Sequence, residues 1–129
     1  GPSMATRRHG PAAVKLTDGR VLVLGGFNFD RARAEENDYE PDVHRTTEFL
    51  DVATNTFSPG PSMPKARMYT AAVQMDDQRV LVIGGCPDIT GLITEGVSDT
   101  TEVLDLPTGV FSPGPALLSP CPIASVVCL

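Results

Sequence analysis

Few residues of this 129-residue chain are of types that do chemistry, and their spacing restricts what they can be. His9 and His44 are the only histidines, and Cys86, Cys121 and Cys128 the only cysteines. A zinc centre takes three or four ligands at short, regular spacings, and no such His or Cys cluster exists here. Cys121 and Cys128 stand seven apart, so on one strand they point to opposite faces and cannot bridge. Free buried thiols are expected instead. Carboxylates are densest between 27 and 45, with Asp30, Glu35, Glu36, Asp38, Glu40 and Asp42. Oxygen ligands suit a hard cation, but the Asp-x-Asp-x-Asp-Gly spacing of a calcium loop is missing, and a solvated surface loop is the better reading. Gly-x-Ser-x-Gly, a phosphate loop, a dinucleotide fingerprint and paired carboxylates are absent too. We therefore expect no catalytic residue, metal or cofactor, and a protein that is not an enzyme.

What positions these residues is a repeat. Val21-Leu22-Val23-Leu24-Gly25-Gly26 returns as Val80-Leu81-Val82-Ile83-Gly84-Gly85. At the same offset of 59, Gly1-Pro2-Ser3-Met4 falls on Gly60-Pro61-Ser62-Met63, Arg8 on Arg67, Asp18 on Asp77 and Arg20 on Arg79. Thr47-Glu48-Phe49-Leu50-Asp51 returns as Thr101-Glu102-Val103-Leu104-Asp105 at an offset of 54, as does Phe57-Ser58-Pro59-Gly60-Pro61 at Phe111 to Pro115. The five-residue difference is absorbed between Gly26 and Thr47, which marks a loop of variable length. Stacked supersecondary units are expected, each unable to bury its apolar faces alone.

Each unit reads as four short strands: 11–16, 20–25, 46–52 and 56–58 in the first, and 69–75, 79–84, 100–106 and 110–112 in the second. Thr17-Asp18-Gly19 and Ala53-Thr54-Asn55 are turns, with Asn55 able to take the left-handed conformation. The second strand is almost continuously apolar, as expected where sheets pack on both faces. Pro59-Gly60-Pro61 should take the chain out of the sheet, because proline has no amide hydrogen to donate. Gly1-Pro2-Ser3 reads either as a tag remnant or as part of the repeat. Residues 120–129 lie where strand one of a third unit should begin.

Composition narrows the class. The chain is 41% hydrophobic with a net charge of −6, so a nucleic-acid footprint, which needs a basic face, is not expected. Its longest apolar runs fall far short of the ~20 residues that cross a bilayer. An odd, small set of cysteines and no Asn-x-Ser/Thr acceptor lean towards a cytoplasmic location, with secretion as the alternative.

Four strands per unit, a strand ending in Gly-Gly, a Glu-x-Leu-Asp third strand and an aromatic just past a turn together resemble the kelch repeat. Arg8 and Arg67 match that family's basic position before strand one. Asp18-Gly19-Arg20 followed by Val21 to Gly26 is most similar to kelch repeats of the galactose-oxidase-like type. The fourth-strand tryptophan usual in the family is replaced by Phe57 and Phe111.

The resemblance implies an all-β fold of propeller blades, each of four antiparallel strands. Blade one would span about 10–58, blade two about 69–112, and a third would start at about 120–129. Kelch propellers close with roughly six or seven blades, so completion by missing sequence or by oligomerisation is expected. Three two-blade chains would make six blades. The surplus strand Pro122 to Leu129 favours a piece of a longer propeller; otherwise it would exchange into a neighbouring chain's sheet or extend an edge.

By resemblance, the loops 27–45, 86–99 and 63–68 share the face that meets a protein partner. Phe27, Phe29, Arg31, Tyr39, Arg67 and Tyr69 are the candidate binding residues, since aromatics and arginine concentrate interface energy. Packing of the aromatics onto their own unit is an equal alternative. Arg8 and Arg67 are better read as ties from unit to unit, and Glu48 and Glu102 as their partners or those of Arg20 and Arg79. An interaction scaffold is the leading function. Part of a galactose-oxidase-like or carbohydrate-handling enzyme with its catalytic residues outside this chain is one alternative, and a purely structural self-assembling module is another. The copper ligation of galactose oxidase by tyrosines and histidines has no counterpart in Tyr39, Tyr69, His9 and His44.

Overall fold

The structure, a computed structural model, describes residues 1–30, 32–33, 35, 41–86 and 99–118. Arg31, Tyr39, Cys121, Cys128 and the start of a third unit at 120–129 lie outside the described residues. Among those described there is no helix, hence none long and apolar enough to cross a membrane.

The fold is all-β. The first unit comprises β1 (Ala12–Lys15), β2 (Arg20–Leu24), β5 (Thr47–Asp51) and β6 (Thr56–Pro59), hydrogen-bonded in the order β1-β2-β5-β6. The second comprises β7 (Ala71–Asp76), β8 (Arg79–Ile83), β9 (Thr101–Asp105) and β10 (Val110–Pro113), again as an antiparallel meander. The registers repeat as well: Val23 lies opposite Glu48 in one sheet and Val82 opposite Glu102 in the other.

Local chemistry sets the corners. Gly19, at φ 91°, closes β1 onto β2, where the Asp18 carboxylate accepts from the Arg20 amide at 2.9 Å. Asn55 takes φ 58°, as the sequence suggests, and Gly109 holds the same place in the second unit at φ 68°. Upstream of Asn55, the Asp51 carboxylate accepts from the amides of Ala53 and Thr54, the local bonding that makes Asp a turn residue.

Two expectations are corrected. The segment after Gly26 does not leave sheet geometry at once: β3 (Phe27–Asn28) pairs with β4 (Asp42–Val43) as a ribbon. Two-residue strands are too short to leave a periodic trace in sequence. As expected, the chain leaves the sheet at Pro59-Gly60-Pro61: Pro59 is the last residue of β6, and Pro113 that of β10; on an outermost strand a missing amide hydrogen leaves no partner unsatisfied. Finally, β2 and β8 each pack another sheet against one face only among the described residues, not both.

That one packed face forms the core. Ala12, Leu22 and Leu24 of the first sheet meet Val80, Val82 and Leu104 of the second, with Leu16 and Met63 filling the ends; all are 7% exposed or less. Phe49 and Phe111 pack at the margin. At about 25 cal/mol per Å² of apolar surface removed from water, this junction is the main apolar stabilisation of both sheets. The edge strands β1 and β7 run alongside each other and line an open hollow with Thr17. Thr17 and Gln74 exchange bonds there: the Thr17 backbone amide donates to Gln74 Oε1 at 3.0 Å, and Gln74 Nε2 donates to Thr17 Oγ1 at 3.2 Å.

Candidate functional site

The two arginines ahead of β1 and β7 are buried ion-pair centres. Arg8 reaches Glu48 Oε2 at 3.1 Å and donates to the carbonyls of Gly25 and Thr46 at 2.8 and 2.9 Å. Arg67 does the same one unit on, to Glu102 Oε2 at 3.2 Å and to the carbonyls of Gly84 and Thr100 at 2.6 and 3.2 Å. Each guanidinium also donates to a threonine hydroxyl, that of Thr46 or of Thr100. A planar fork with five donors can satisfy a carboxylate and two carbonyls together, which lysine cannot. The cluster leaves no buried side-chain polar atom unbonded among the described residues, the condition under which a buried charge is tolerable.

Arg67 does more than hold its own sheet. Its amide donates to the His44 carbonyl at 3.1 Å, and its carbonyl accepts from the Gly26 amide at 2.8 Å. The main chain of this residue is thus bonded into the first unit while its side chain clamps the second. Met63, four residues earlier, docks likewise through its amide onto the Arg45 carbonyl at 2.7 Å.

Of the residues proposed for binding, two are spent inside the protein. Arg67 is 1% exposed and Phe27 9%. Phe27 packs with Met68 and Cys86 in a second small core, against Val43 and Tyr69. A buried side chain offers a partner no surface. Phe29 is different. It is 40% exposed and lines a hollow of about 360 Å³ with Arg7, Asn28, Asp30 and Ala32. Tyr69 is half-buried, its ring 5.8 Å from that of Phe27, which lies 5.5 Å from the ring of His9.

Tyr69 adopts φ 53°, uncommon for a bulky residue. Its repeat equivalent is Gly10, at φ 59°, and the two residues touch: the Tyr69 amide donates to the Gly10 carbonyl at 2.9 Å. A Cβ on Gly10 would lie 2.8 Å from Tyr69 Cε1. The pairs Gly10 with Tyr69, His9 with Met68 and Phe27 with Cys86 all sit at the offset of 59, and the isolated bridges His9–Phe27 and Met68–Cys86 match accordingly. Sequence reading singled out Phe27, Tyr69 and His9 one by one but not their pairing, because the paired residues are unlike; the constant offset is the signal that joins them. Gly10→Ala should cost about 1 kcal/mol more in the wild type than in a Tyr69→Gly background, measured by urea unfolding. Equal costs would mean that the ring does not occupy the glycine's space.

Two exposed pairs brace the β1–β2 and β7–β8 turns. Arg20 holds the Asp18 carboxyl below its ordinary pKa through a side-chain hydrogen bond, and Arg79 does so for Asp76. Thus Arg20 and Arg79 are not the partners of Glu48 and Glu102. A carboxylate whose pKa falls on folding adds stability above its unfolded pKa and loses it as pH drops through the folded value. These braces therefore weaken only in acid. Comparison of the chain with known protein families and with curated proteins finds no match.

Proposed function

We propose that the chain forms two consecutive four-stranded blades of the kelch β-propeller type, whose role is to bind a protein partner. The observation that carries the reading is the splice at Arg67: one residue bonded by its main chain to the connecting segments of the first unit and by its guanidinium into the second. Such a splice makes each unit a template for the following one, the nearest-neighbour logic of repeat proteins.

The proposed partner surface is the end of the sheets carrying the loops after Gly26 and Gly85. Phe29 is its described aromatic anchor. Affinity purification with the wild type, Phe29→Ala and Val52→Ala tests this, because Val52 is 57% exposed at the opposite end of the first sheet. A protein retained by the wild type and Val52→Ala, with recovery falling about tenfold in Phe29→Ala, is the expected result. The same proteins recovered by all three would overturn it.

A further inference from the structure

We infer that this chain associates head to tail with a second copy of itself, reproducing between molecules the junction seen between its two sheets. The inference stands on the repeat and on that junction, without need of the kelch reading.

The interior junction is heterologous. The first sheet contributes the face bearing Leu22 and Leu24, and the second contributes the face bearing Val80, Val82 and Leu104. Strand alternation puts a copy of each contributor on the outside. The repeat equivalents of Val80 and Leu104 are Val21 and Leu50, on the outer face of the first sheet. Those of Leu22 and Leu24 are Leu81 and Ile83, on the outer face of the second. Val80, Leu104, Leu22 and Leu24 are all 0% exposed, whereas Val21, Leu50, Leu81 and Ile83 remain only half-buried. Among the described residues no second sheet packs on either outer face, and the two faces are the two halves of an interface the protein already makes, one at each end of the stack.

The main chain repeats this pattern. The Gly26 amide donates to the Arg67 carbonyl within the molecule. The Gly85 amide and the Arg8 carbonyl are their equivalents, and neither hydrogen-bonds to a described residue. The seat that Met63 fills is held on the second unit by Leu117, whose amide donates to the Asp99 carbonyl at 2.7 Å. An incoming copy accordingly engages from Arg8 onward and leaves Met4, 36% exposed, outside the contact. A heterologous contact of this kind either closes into a ring or continues as a filament.

Sedimentation of the intact chain and of two variants tests the inference. Leu50→Asp blocks one face and Leu81→Asp the other. The wild type is expected to exceed the 13.7 kDa of one chain increasingly with concentration. Each variant alone should stay monomeric, since every contact needs one open face of each kind. An equimolar mixture of the two should form a dimer and stop there. A mixture that stays monomeric, with circular dichroism showing both variants folded, overturns the head-to-tail geometry. A wild type that remains at one chain mass at every concentration overturns association altogether, whether residues 119–129 of its own chain or nothing covers the face.

Discussion

Arg67→Met should lower the unfolding free energy by about 3–5 kcal/mol, the cost of removing one partner from a buried ion pair. Glu102 is 6% exposed, so its carboxylate would be left charged in the interior with its strongest donor gone. The carbonyls of Gly84 and Thr100 would lose their guanidinium donors in the same step. Against the roughly 5–15 kcal/mol that holds a domain folded, this is a large fraction. Urea unfolding followed by circular dichroism should show the midpoint falling at unchanged slope, the mark of a stability effect. Replacing both partners, in Arg67→Met with Glu102→Leu, should recover about 2 kcal/mol or more, because a matched apolar pair strands no charge. Arg20→Met supplies the contrast. Its partner Asp18 is 45% exposed, and such a pair contributes at most about 1 kcal/mol once water screens it. If Arg67→Met and Arg20→Met unfold at the same midpoint, the buried clamp contributes nothing that the surface pair does not.

The clamp also shows where a sequence can be read and where it stops. Two arginines at one repeat position, with two glutamates at another, already indicated architecture, and the strands around the double glycines lie where the apolar runs put them. Which glutamate each arginine takes follows only from register, since Glu48 must lie beside Val23 for Arg8 to reach it. The inward turn of Phe27 was not legible, because an aromatic in a polar segment looks alike whether it anchors a partner or its own loop. Its burial depends on Cys86 and Met68, which are distant in sequence and share no residue type with their equivalents. The splice itself was hidden for a simpler reason: it is made by main-chain amides and carbonyls, which every residue carries.

Gly25→Ala should be the most damaging single-methyl change in the described fold, at about 3–5 kcal/mol, within the range reserved for named steric failures. Gly25 sits at φ 66°, where any L side chain is strained by about 1–2 kcal/mol. Strain is the smaller part. A Cβ there would overlap the Arg67 carbonyl oxygen, a backbone atom that cannot swing aside as a side chain can. Moving it would break the Gly26-to-Arg67 hydrogen bond, pull the Arg67 amide from His44 and drag the guanidinium from Glu102. One methyl group would thus loosen the first sheet, the second and the chain between them. Gly19→Ala isolates the strain, since Gly19 also has positive φ, at 91°, but a Cβ there meets nothing within 4 Å. It should cost only the conformational penalty, about 1–2 kcal/mol. A loss for Gly25→Ala more than double that for Gly19→Ala is the signature of a backbone passing over the glycine. Equal losses would mean that the connection does not cross there, and the junction between the two sheets would have to be built differently.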